Sequence, residues 1–336
     1  MLTPYLKTLT RTECQEYVKQ RFALDPDAVL MPEEQSVTFA DRIHLYSTTD
    51  STASYVLIGI PEDIGVRANL GRPGAAGAWQ EFLQVFLGQQ HHQLCRADRY
   101  SLWGNVVVED LMQQGEQLDA RIHEQRLQLS KLTEQLDERV YTVAKLVRDT
   151  GKIPVFIGGG HNNCLPLLRA FGEDHAIDCI NIDAHTDLRT AVGRHSGNGF
   201  SHALKNGWLN RYGTMGINPA YLTQAMLELI STHSNIEYRN YHHSQDKSKQ
   251  DFQELLSNLD VEHLALEVDL DVVAHFPSSA QSPVGYTLCQ VSRMIDGVIT
   301  LSRKRTKYLH LCEAAPQYGY TNQVGKSLSY LVNQLR

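Results

Sequence analysis

The chain has no excess of positive charge and no long apolar run. Its 336 residues include 31 Lys and Arg against 38 Asp and Glu, a formal net charge of −7 without any basic block. Nothing in this charge favours binding to nucleic acid or to an anionic membrane surface. The longest apolar runs have five or six residues, such as 55–60, far short of the ~20 needed to cross a bilayer. We therefore expect a partner that is a small molecule.

Cysteine is also scarce, and the positions of the cysteines do not indicate any disulfide pairing. The six cysteines are scattered, with no CxxC pair, which argues against a dense disulfide framework. The N-terminal stretch MLTPYLKTLTRTECQEYVKQR has no apolar core of the kind found in secretory signals. We expect reduced thiols and a cytoplasmic location.

Short runs rich in Val and Ile alternate with longer helical patterns, which is typical of βαβ units and a parallel sheet. Strands are predicted at 55–60, 153–158, 178–183, 212–217, 235–238, 263–269 and 307–312. Between Gly115 and Gly151 there is no Gly or Pro, and apolar residues recur at three- and four-residue steps. This pattern predicts one long helix, or two joined end to end, packed on the sheet. A coiled coil is the alternative for this segment.

No internal repeat and no Pro/Gly/Ser-rich linker divides the chain, although its length would allow either one large domain or two. The polar stretch 241–253 is interpreted as a surface loop leading into a helix. We predict a three-layer α/β/α domain with a mostly parallel central sheet over residues 51–336. Residues 1–50 are predicted to form an N-terminal extension packed on that domain.

Three of the predicted strands end in residues that bind metals. The residues are His161 after the glycines 158–160, Asp183, His185 and Asp187 after CINI, and Asp269 and Asp271 at the end of HLALEV. Residues two apart in an extended backbone project to the same side, and open α/β sheets bind ligands at the carboxyl ends of their strands. We expect these four Asp and two His side chains to share one cavity.

Four carboxylates in one cavity would repel each other and raise each other's pKa values unless cations lay between them. Two divalent cations supply the required charge. A carboxylate-rich set with two imidazoles favours Mn²⁺, while Fe²⁺, Co²⁺ and Zn²⁺ stay open. Metals ~3.5–4 Å apart share a water and present it as hydroxide near neutral pH. The pattern predicts a hydrolase with two Mn²⁺ per chain.

Each of these motifs alone has a simpler explanation. A DxH after a strand is often a turn aspartate beside a core histidine, and GGGH could belong to a phosphate loop. A dinucleotide fingerprint starting at Gly158 would need glycine at 163, where the chain has Asn163. A metallophosphatase is disfavoured because its DxH motif comes first, whereas here the Gly-His element precedes DAHTD. The joint occurrence of the three motifs favours the metal site.

The order GGGH, DAHTD, VDLD and then Cys312-Glu313-Ala314-Ala315-Pro316 resembles the arginase/agmatinase/formimidoylglutamase family of binuclear manganese ureohydrolases, over residues 55–335. The resemblance implies the following ligands: His161 and Asp187 for one metal, His185 and Asp271 for the other, and Asp183 and Asp269 bridging both. It also implies that Asp187 orients the bridging hydroxide and that Glu313 binds the cationic amidine of the substrate.

Two further segments bear on the substrate. The stretch GVRANLGRPGA, residues 65–75, resembles a segment of formimidoylglutamases, and Arg67 and Arg72 are predicted to bind carboxylates of the substrate. In the alternative interpretation, Arg67 and Arg72 are a surface pair that caps the helix beginning near Gly74. Ser196 and Asn198 fall where arginases contact the substrate carboxylate, and Phe200 stands where arginases have a proton-shuttling histidine, which disfavours a true arginase.

The resemblance therefore implies hydrolysis of N-formimidoyl-L-glutamate to glutamate and formamide in histidine metabolism, by a homo-oligomer. Two alternatives remain: a guanidino-substrate hydrolase of the arginase, agmatinase or guanidinobutyrase type that releases urea, and a metal-binding homologue without turnover. The second is motivated by GGGHNN and DLDVVAH, where most of the family has GGDH or GGGHE and DxDxxDP. These departures predict an altered wall around the second metal.

Overall fold

A single sheet connects the strands of the protein, for which the computed structural model describes residues 3–24, 37–46, 52–302 and 306–335. The strands in these ranges are β1 Leu6–Lys7, β2 His44–Leu45, β3 Tyr55–Gly59, β4 Tyr100–Val106, β5 Ile153–Ile157, β6 Ile177–Ile182, β7 Leu209–Ile217, β8 Ile236–Asn240, β9 Leu264–Asp269 and β10 Tyr308–Cys312. The helices are α1 Arg11–Leu24, α2 Phe39–Arg42, α3 Ile64–Ala68, α4 Ala78–Phe86, α5 Glu109–Gly115, α6 His123–Arg148, α7 Cys164–Gly172, α8 Gly199–Lys205, α9 Gln224–Thr232, α10 Gln245–Ser257, α11 Leu288–Leu301 and α12 Gln323–Asn333.

The sheet is parallel apart from one strand at its edge. Its order is β1-β4-β3-β5-β10-β9-β6-β7-β8, with β2 also paired to β4, and only the β1–β4 pairing is antiparallel. All seven predicted strands are confirmed, each within three residues of its predicted bounds. Strand β4 was not predicted, because Ser101, Gly104 and Asn105 interrupt its apolar sequence, although every residue of it is buried.

Helices cover both faces of the sheet, so the predicted three-layer α/β/α architecture is confirmed. On one face α4, α11 and α12 bury an apolar cluster that includes Phe82, Phe86 and Leu328. On the other face α6 and α7 bury a second cluster that includes Leu136 and Val140. Each such side chain contributes about 1.5–3 kcal/mol of burial energy. The long helix predicted between Gly115 and Gly151 is α6, a layer helix packed against α7 and α3.

The N-terminal residues pair with the sheet and contribute to its core. Strand β1 lies beside β4 at Gly104, whose φ is +118° and whose position would bring an added Cβ to 1.9 Å from the Lys7 carbonyl oxygen. Phe39 is fully buried, with its ring edge on Phe86 at 5.0 Å between centroids. The predicted boundary between residues 50 and 51 lies outside the described residues, so the division into extension and domain stays a prediction.

None of the helices in the described ranges combines the length and the apolar composition needed to cross a membrane.

Candidate metal centre and substrate pocket

The site lies at the carboxyl ends of four strands that are neighbours in the sheet, in the order β5, β10, β9 and β6. His161 follows β5, Glu313 follows β10, Asp269 ends β9 and Asp183 follows β6. Because these strands are parallel and in register, their ends meet at one edge, and the side chains beyond them face a common space.

Two aspartates turn the chain in the same way at the ends of β6 and β9. The Asp183 Oδ1 atom accepts a hydrogen bond from the backbone N–H of His185 at 2.6 Å, and the Asp269 Oδ1 atom accepts one from the N–H of Asp271 at 2.9 Å. Each turn brings the residue two positions later to the same side, and the Asp183 Oδ2 atom also accepts a hydrogen bond from the Asn181 side chain at 2.9 Å. The repeated DxH and DxD spacing thus produces two similar ligand-bearing corners.

The structure brings all six predicted metal ligands together, in two overlapping groups. The His161 Nδ1 atom lies 2.9 Å from Asp187 Oδ2, 3.2 Å from Asp183 Oδ2 and 3.4 Å from Asp269 Oδ2. The His185 Nδ1 atom lies 3.0 Å from Asp271 Oδ2 and 3.6 Å from Asp183 Oδ1. Asp183 thus presents one oxygen to each imidazole, the arrangement that a bridging carboxylate requires.

The buried carboxylates of this cluster repel each other, and positive charge placed between them would stabilise their ionised forms. Burial raises the pKa of Asp269 well above its ordinary value, and the charges of Asp271 and Asp183 raise it further. Burial also raises the pKa of Asp271, against the opposing effect of His185. Both ring nitrogens of His161 and the Asp271 Oδ1 atom are buried without a hydrogen-bond partner among the described residues. Two imidazoles and four carboxylates with such unpartnered donor atoms fit a pair of divalent cations.

A second buried network lies on the Nε2 side of the His161 ring, away from the aspartates. Its Nε2 atom faces Glu267 Oε2 at 3.6 Å, and that carboxylate contacts His310 Nδ1 at 2.6 Å and accepts a hydrogen bond from the Tyr308 hydroxyl at 2.8 Å. At 3.6 Å the Glu267 carboxylate is too far from Nε2 for a hydrogen bond, but its charge lies on the side of the ring away from the cluster. The sequence signal for Glu267 is again its position two residues before Asp269.

The GGGHNN departure is explained by the loop that follows β5. Gly158 and Gly159 have φ of +88° and +77°, values that glycine adopts without strain. The buried carboxylate of Glu62 accepts hydrogen bonds from the Gly160 N–H at 2.9 Å and from the side chains of Asn163 at 2.5 Å and Asn162 at 3.2 Å. Neither asparagine lines the pocket, so the two asparagines of this departure order the loop through Glu62.

The DLDVVAH departure also turns away from the pocket. Beyond Asp271 Val273 forms an isolated bridge with Tyr286, and the lining resumes only at Ser279 and Ala280. The lining of the pocket includes none of residues 272–278, and the predicted change in the wall around the second metal stays a prediction.

Glu313 faces the cluster from the end of β10. Its backbone φ is +61°, an unusual value for a residue with a side chain. One carboxylate oxygen accepts the His161 N–H at 2.8 Å, and the other accepts the Ser279 hydroxyl at 2.5 Å. Burial raises the pKa of Glu313 to about 7, although these two hydrogen bonds act in the opposite direction. The carboxylate is therefore held in one orientation beside the metal ligands.

A cavity of about 210 Å³ opens onto these groups. Its lining comprises Val66, Asn69, Gly71, His185, Thr186, Asp187, Arg189, Ser196, Tyr221, Met226, Asp269, Asp271, Ser279, Ala280 and Glu313. The ring of Tyr221 stacks on His185 at 4.7 Å between centroids. The lining combines acidic side chains with the cationic Arg189 and neutral polar groups, and the volume is of the size of a small amino-acid derivative.

Of the residues predicted to bind substrate, Ser196 and Glu313 line this pocket and Asn198 does not. The Ser196 hydroxyl accepts a hydrogen bond from the Asn69 side chain at 3.1 Å. Asn198 is fully buried; its Oδ1 atom accepts from Arg194 at 2.8 Å, and its amide donates to the Gly193 carbonyl at 3.0 Å. Asn198 thus shapes the loop that presents Ser196, and a direct contact with substrate is not supported.

The two predicted arginines are likewise absent from the pocket lining. Arg67 donates through Nε to Asp63 at 2.6 Å. Arg72 donates to the carbonyl oxygens of Ser278 and Ser279 and lies over the ring of Tyr318. Both guanidinium groups are engaged by groups of the protein, which favours the alternative structural role, and the contacts of Arg67 and Arg72 with substrate carboxylates stay a prediction.

The cation that does line the pocket is Arg189, which the sequence reasoning missed. Its NH1 atom donates to the Asn69 side-chain oxygen at 2.9 Å, and Asn69 in turn donates to Ser196. The missed signal was available, because Arg189 continues the two-residue spacing of Asp183, His185 and Asp187. Asn69 lies within the GVRANLGRPGA segment, between Arg67 and Arg72, the two arginines predicted to bind substrate.

Comparisons with known proteins agree with this geometry. The model of the arginase family matches residues 53–334. The formimidoylglutamase of Macrococcus caseolyticus is 26% identical over 289 residues, covering 82% of each chain. That of Chromobacterium violaceum is 27% identical over 287 residues, covering 82% of this chain and 84% of its own.

Solved structures share the fold. A crystal structure of Trypanosoma cruzi formiminoglutamase with Mn²⁺ has a TM-score of 0.68 at 20% identity and covers 90% of this chain and 97% of its own. The formimidoylglutamase of Bacillus subtilis has a TM-score of 0.71 at 14% identity, covering 95% and 97%. Since the family model spans nearly all of the sheet and every predicted metal ligand, this chain belongs to the arginase family.

Proposed function

We propose that the protein is a manganese-dependent hydrolase that cleaves the C–N bond of N-formimidoyl-L-glutamate to give glutamate and formamide. The observation on which the proposal rests is that Glu313 and Arg189 line one pocket together with four of the six predicted metal ligands. The other two, His161 and Asp183, are clustered with these ligands. The curated relatives in Macrococcus caseolyticus and Chromobacterium violaceum, both named formimidoylglutamase, support this choice of substrate.

The two groups of the cluster share Asp183, and the bridging role of Asp269 is the one that the family resemblance implies. His161 and Asp187 would bind one Mn²⁺, His185 and Asp271 the other, and Asp183 and Asp269 both. When bound, a pair of such ions lowers the pKa of a shared water and supplies hydroxide near neutral pH. Asp187 lines the cavity, where its carboxylate is available to accept a hydrogen bond from the attacking oxygen and orient it.

Glu313 would bind the amidine. An amidinium group presents two parallel N–H donors, which match the two oxygens of a carboxylate in charge and geometry. Both Glu313 oxygens are already oriented by His161 and Ser279, so little ordering remains when the substrate enters. The same contact holds the amidine carbon near the metal ligands.

Arg189 would bind a carboxylate of the substrate, in place of Arg67 and Arg72. Its planar guanidinium suits bidentate recognition of a carboxylate, and Asn69 and Ser196 add neutral polar groups next to it. N-formimidoylglutamate has two carboxylates, whereas agmatine has none. Phe200 stacks on Tyr212 at 4.4 Å and is buried, so no proton shuttle of the arginase kind stands at that position.

The test is a substrate comparison with the metal-reconstituted enzyme. After chelation and reconstitution with Mn²⁺, formimidoylglutamate, arginine, agmatine and guanidinobutyrate are compared by kcat/KM. We expect formimidoylglutamate to be the best substrate and agmatine the poorest. A guanidino compound that proves best would refute the substrate assignment, and absence of hydrolysis of all four would favour a metal-binding homologue without turnover.

The cytoplasmic location, the place in histidine metabolism, the homo-oligomeric state and the division at residue 50 expected from the sequence remain proposals.

A further inference from the structure

We propose that Arg72 is a positioning residue for Glu313, acting through the backbone of residues 277–279. The inference rests on the proposed function in one respect, namely that Glu313 binds the amidine of the substrate. Arg72 itself does not line the pocket, so its effect on catalysis would be indirect.

Arg72 is held from three directions. Its Nε atom donates to the Ser279 carbonyl at 2.9 Å, and its NH2 atom donates to the Ser278 carbonyl at 3.0 Å. The guanidinium carbon Cζ lies over the Tyr318 ring, 4.2 Å from its centroid. The Tyr318 hydroxyl donates to the Pro73 carbonyl at 2.8 Å, which ties the ring to the residue next to Arg72.

This arrangement needs the shape of arginine as well as its charge. Two donors in a rigid plane reach two consecutive carbonyl groups, while the same guanidinium lies over an aromatic ring. A lysine would supply one charged nitrogen, which can neither reach both carbonyls in this fixed geometry nor stack. We call the contact of Arg72 with the Ser278 and Ser279 carbonyls the Arg72 clamp.

The clamped segment leads directly to Glu313. Ser278 forms an isolated antiparallel bridge with Ala314, and the Ala315 N–H donates to the Pro277 carbonyl at 2.8 Å. The segment thus runs beside the residues around Glu313, and the Ser279 hydroxyl donates to the Glu313 carboxylate at 2.5 Å. Since Glu313 has a positive φ, its conformation persists only when its surroundings fix it. Loss of the clamp would loosen one of the two hydrogen bonds that orient its carboxylate.

The clamp is tested by hydrogen exchange and kinetics on Arg72→Ala, Arg72→Lys and Ser279→Ala in the Mn²⁺-loaded full chain. Arg139→Ala is the matched control, because Arg139 also donates to a backbone carbonyl, that of Val107, and lies 5.5 Å from a tyrosine ring centroid, but outside the pocket. We expect Arg72→Ala to speed amide exchange in residues 274–285 by ~10-fold or more while two metals are retained. Arg72→Lys should rescue only part of this effect, and Arg139→Ala should not change this segment.

Kinetics then separate positioning from direct binding. With formimidoylglutamate, Arg72→Ala should lower kcat/KM by ~10-fold, and the loss should not add to that of Ser279→Ala, since both act on the same carboxylate. An N-formimidoyl amino acid without the side-chain carboxylate should suffer the same fold loss. Unchanged exchange, additive losses, or a loss confined to the dicarboxylate substrate would each overturn the clamp. A normal rate for Glu313→Gln would instead refute the proposed role of Glu313, while the exchange result would still decide whether Arg72 orders the segment.

Discussion

Replacing Glu313 by Gln removes one negative charge from the pocket and preserves the shape of the side chain. In the native structure one Glu313 oxygen accepts the His161 N–H and the other accepts the Ser279 hydroxyl. The amide of Gln keeps one acceptor, which must face the His161 N–H because that donor cannot reverse. Its NH₂ group then faces Ser279, whose hydroxyl rotates to accept the hydrogen bond. We therefore expect the variant to fold and to keep both metals.

The catalytic loss follows from the substrate contacts that Gln cannot make. A hydrogen bond to a charged group contributes about 1.5–3 kcal/mol, roughly twice a neutral one. An amidinium that meets a neutral amide loses at least one such bond and the charge pairing in a buried site. A loss of about 3 kcal/mol corresponds to ~10²-fold in kcat/KM, because 1.36 kcal/mol is tenfold.

The assay is steady-state hydrolysis of formimidoylglutamate, with the metal content of each preparation measured by plasma mass spectrometry. Equal metal content in wild type and Glu313→Gln makes the rate difference a property of the carboxylate. A rate within threefold of wild type at full metal content would show that Glu313 has a structural role and does not bind the amidine.

Three other predictions address the metals, the substrate and stability. The Asp269→Ala variant should lose at least one of two Mn²⁺ and nearly all activity. The binuclear site would be contradicted if metal analysis of the wild type found no more than one tightly bound ion and chelation left its activity unaffected. The Arg189→Ala variant should raise KM for formimidoylglutamate by ~10–100-fold with a smaller change in kcat, because a carboxylate contact is present in ground and transition states alike. An unchanged KM would exclude that contact. Burial lowers the pKa of His195 to about 4, with the charges of Arg189 and Arg194 acting in the same direction, so the unfolded chain takes up a proton that the folded chain resists. The free energy of unfolding should therefore fall as the pH drops from about 6.5 toward 4, by up to ~1.4 kcal/mol per pH unit from this residue. Urea titrations at several pH values should show a shallower fall for His195→Gln than for the wild type. An identical dependence of the unfolding free energy on pH would contradict the prediction.

Much of the metal centre was determined by the sequence alone, because its geometry is local. The two-residue spacing in DAHTD indicated that Asp183, His185 and Asp187 act together, although the chain leaves the extended conformation after β6 and Asp187 has a φ of +49°. The apolar runs of the parallel strands are equally local, since strands buried on both faces need no alternation. The departures GGGHNN and DLDVVAH were visible in the sequence, but their consequence was not. Whether Asn162 faces the metals or Glu62 depends on a partner 100 residues away.

Only the tertiary structure decided which strand ends become neighbours and where each arginine reaches. Strand β10 is last in the sequence yet lies between β5 and β9, and this crossover places Glu313 against the His161 backbone. Arg72 and Arg189 have the same chemistry, and their roles differ because Arg72 meets two carbonyls about two hundred positions away while Arg189 lines the cavity. A long side chain contacts whatever the fold brings within its reach, and that is a property of the packed chain, which no local pattern of residues contains.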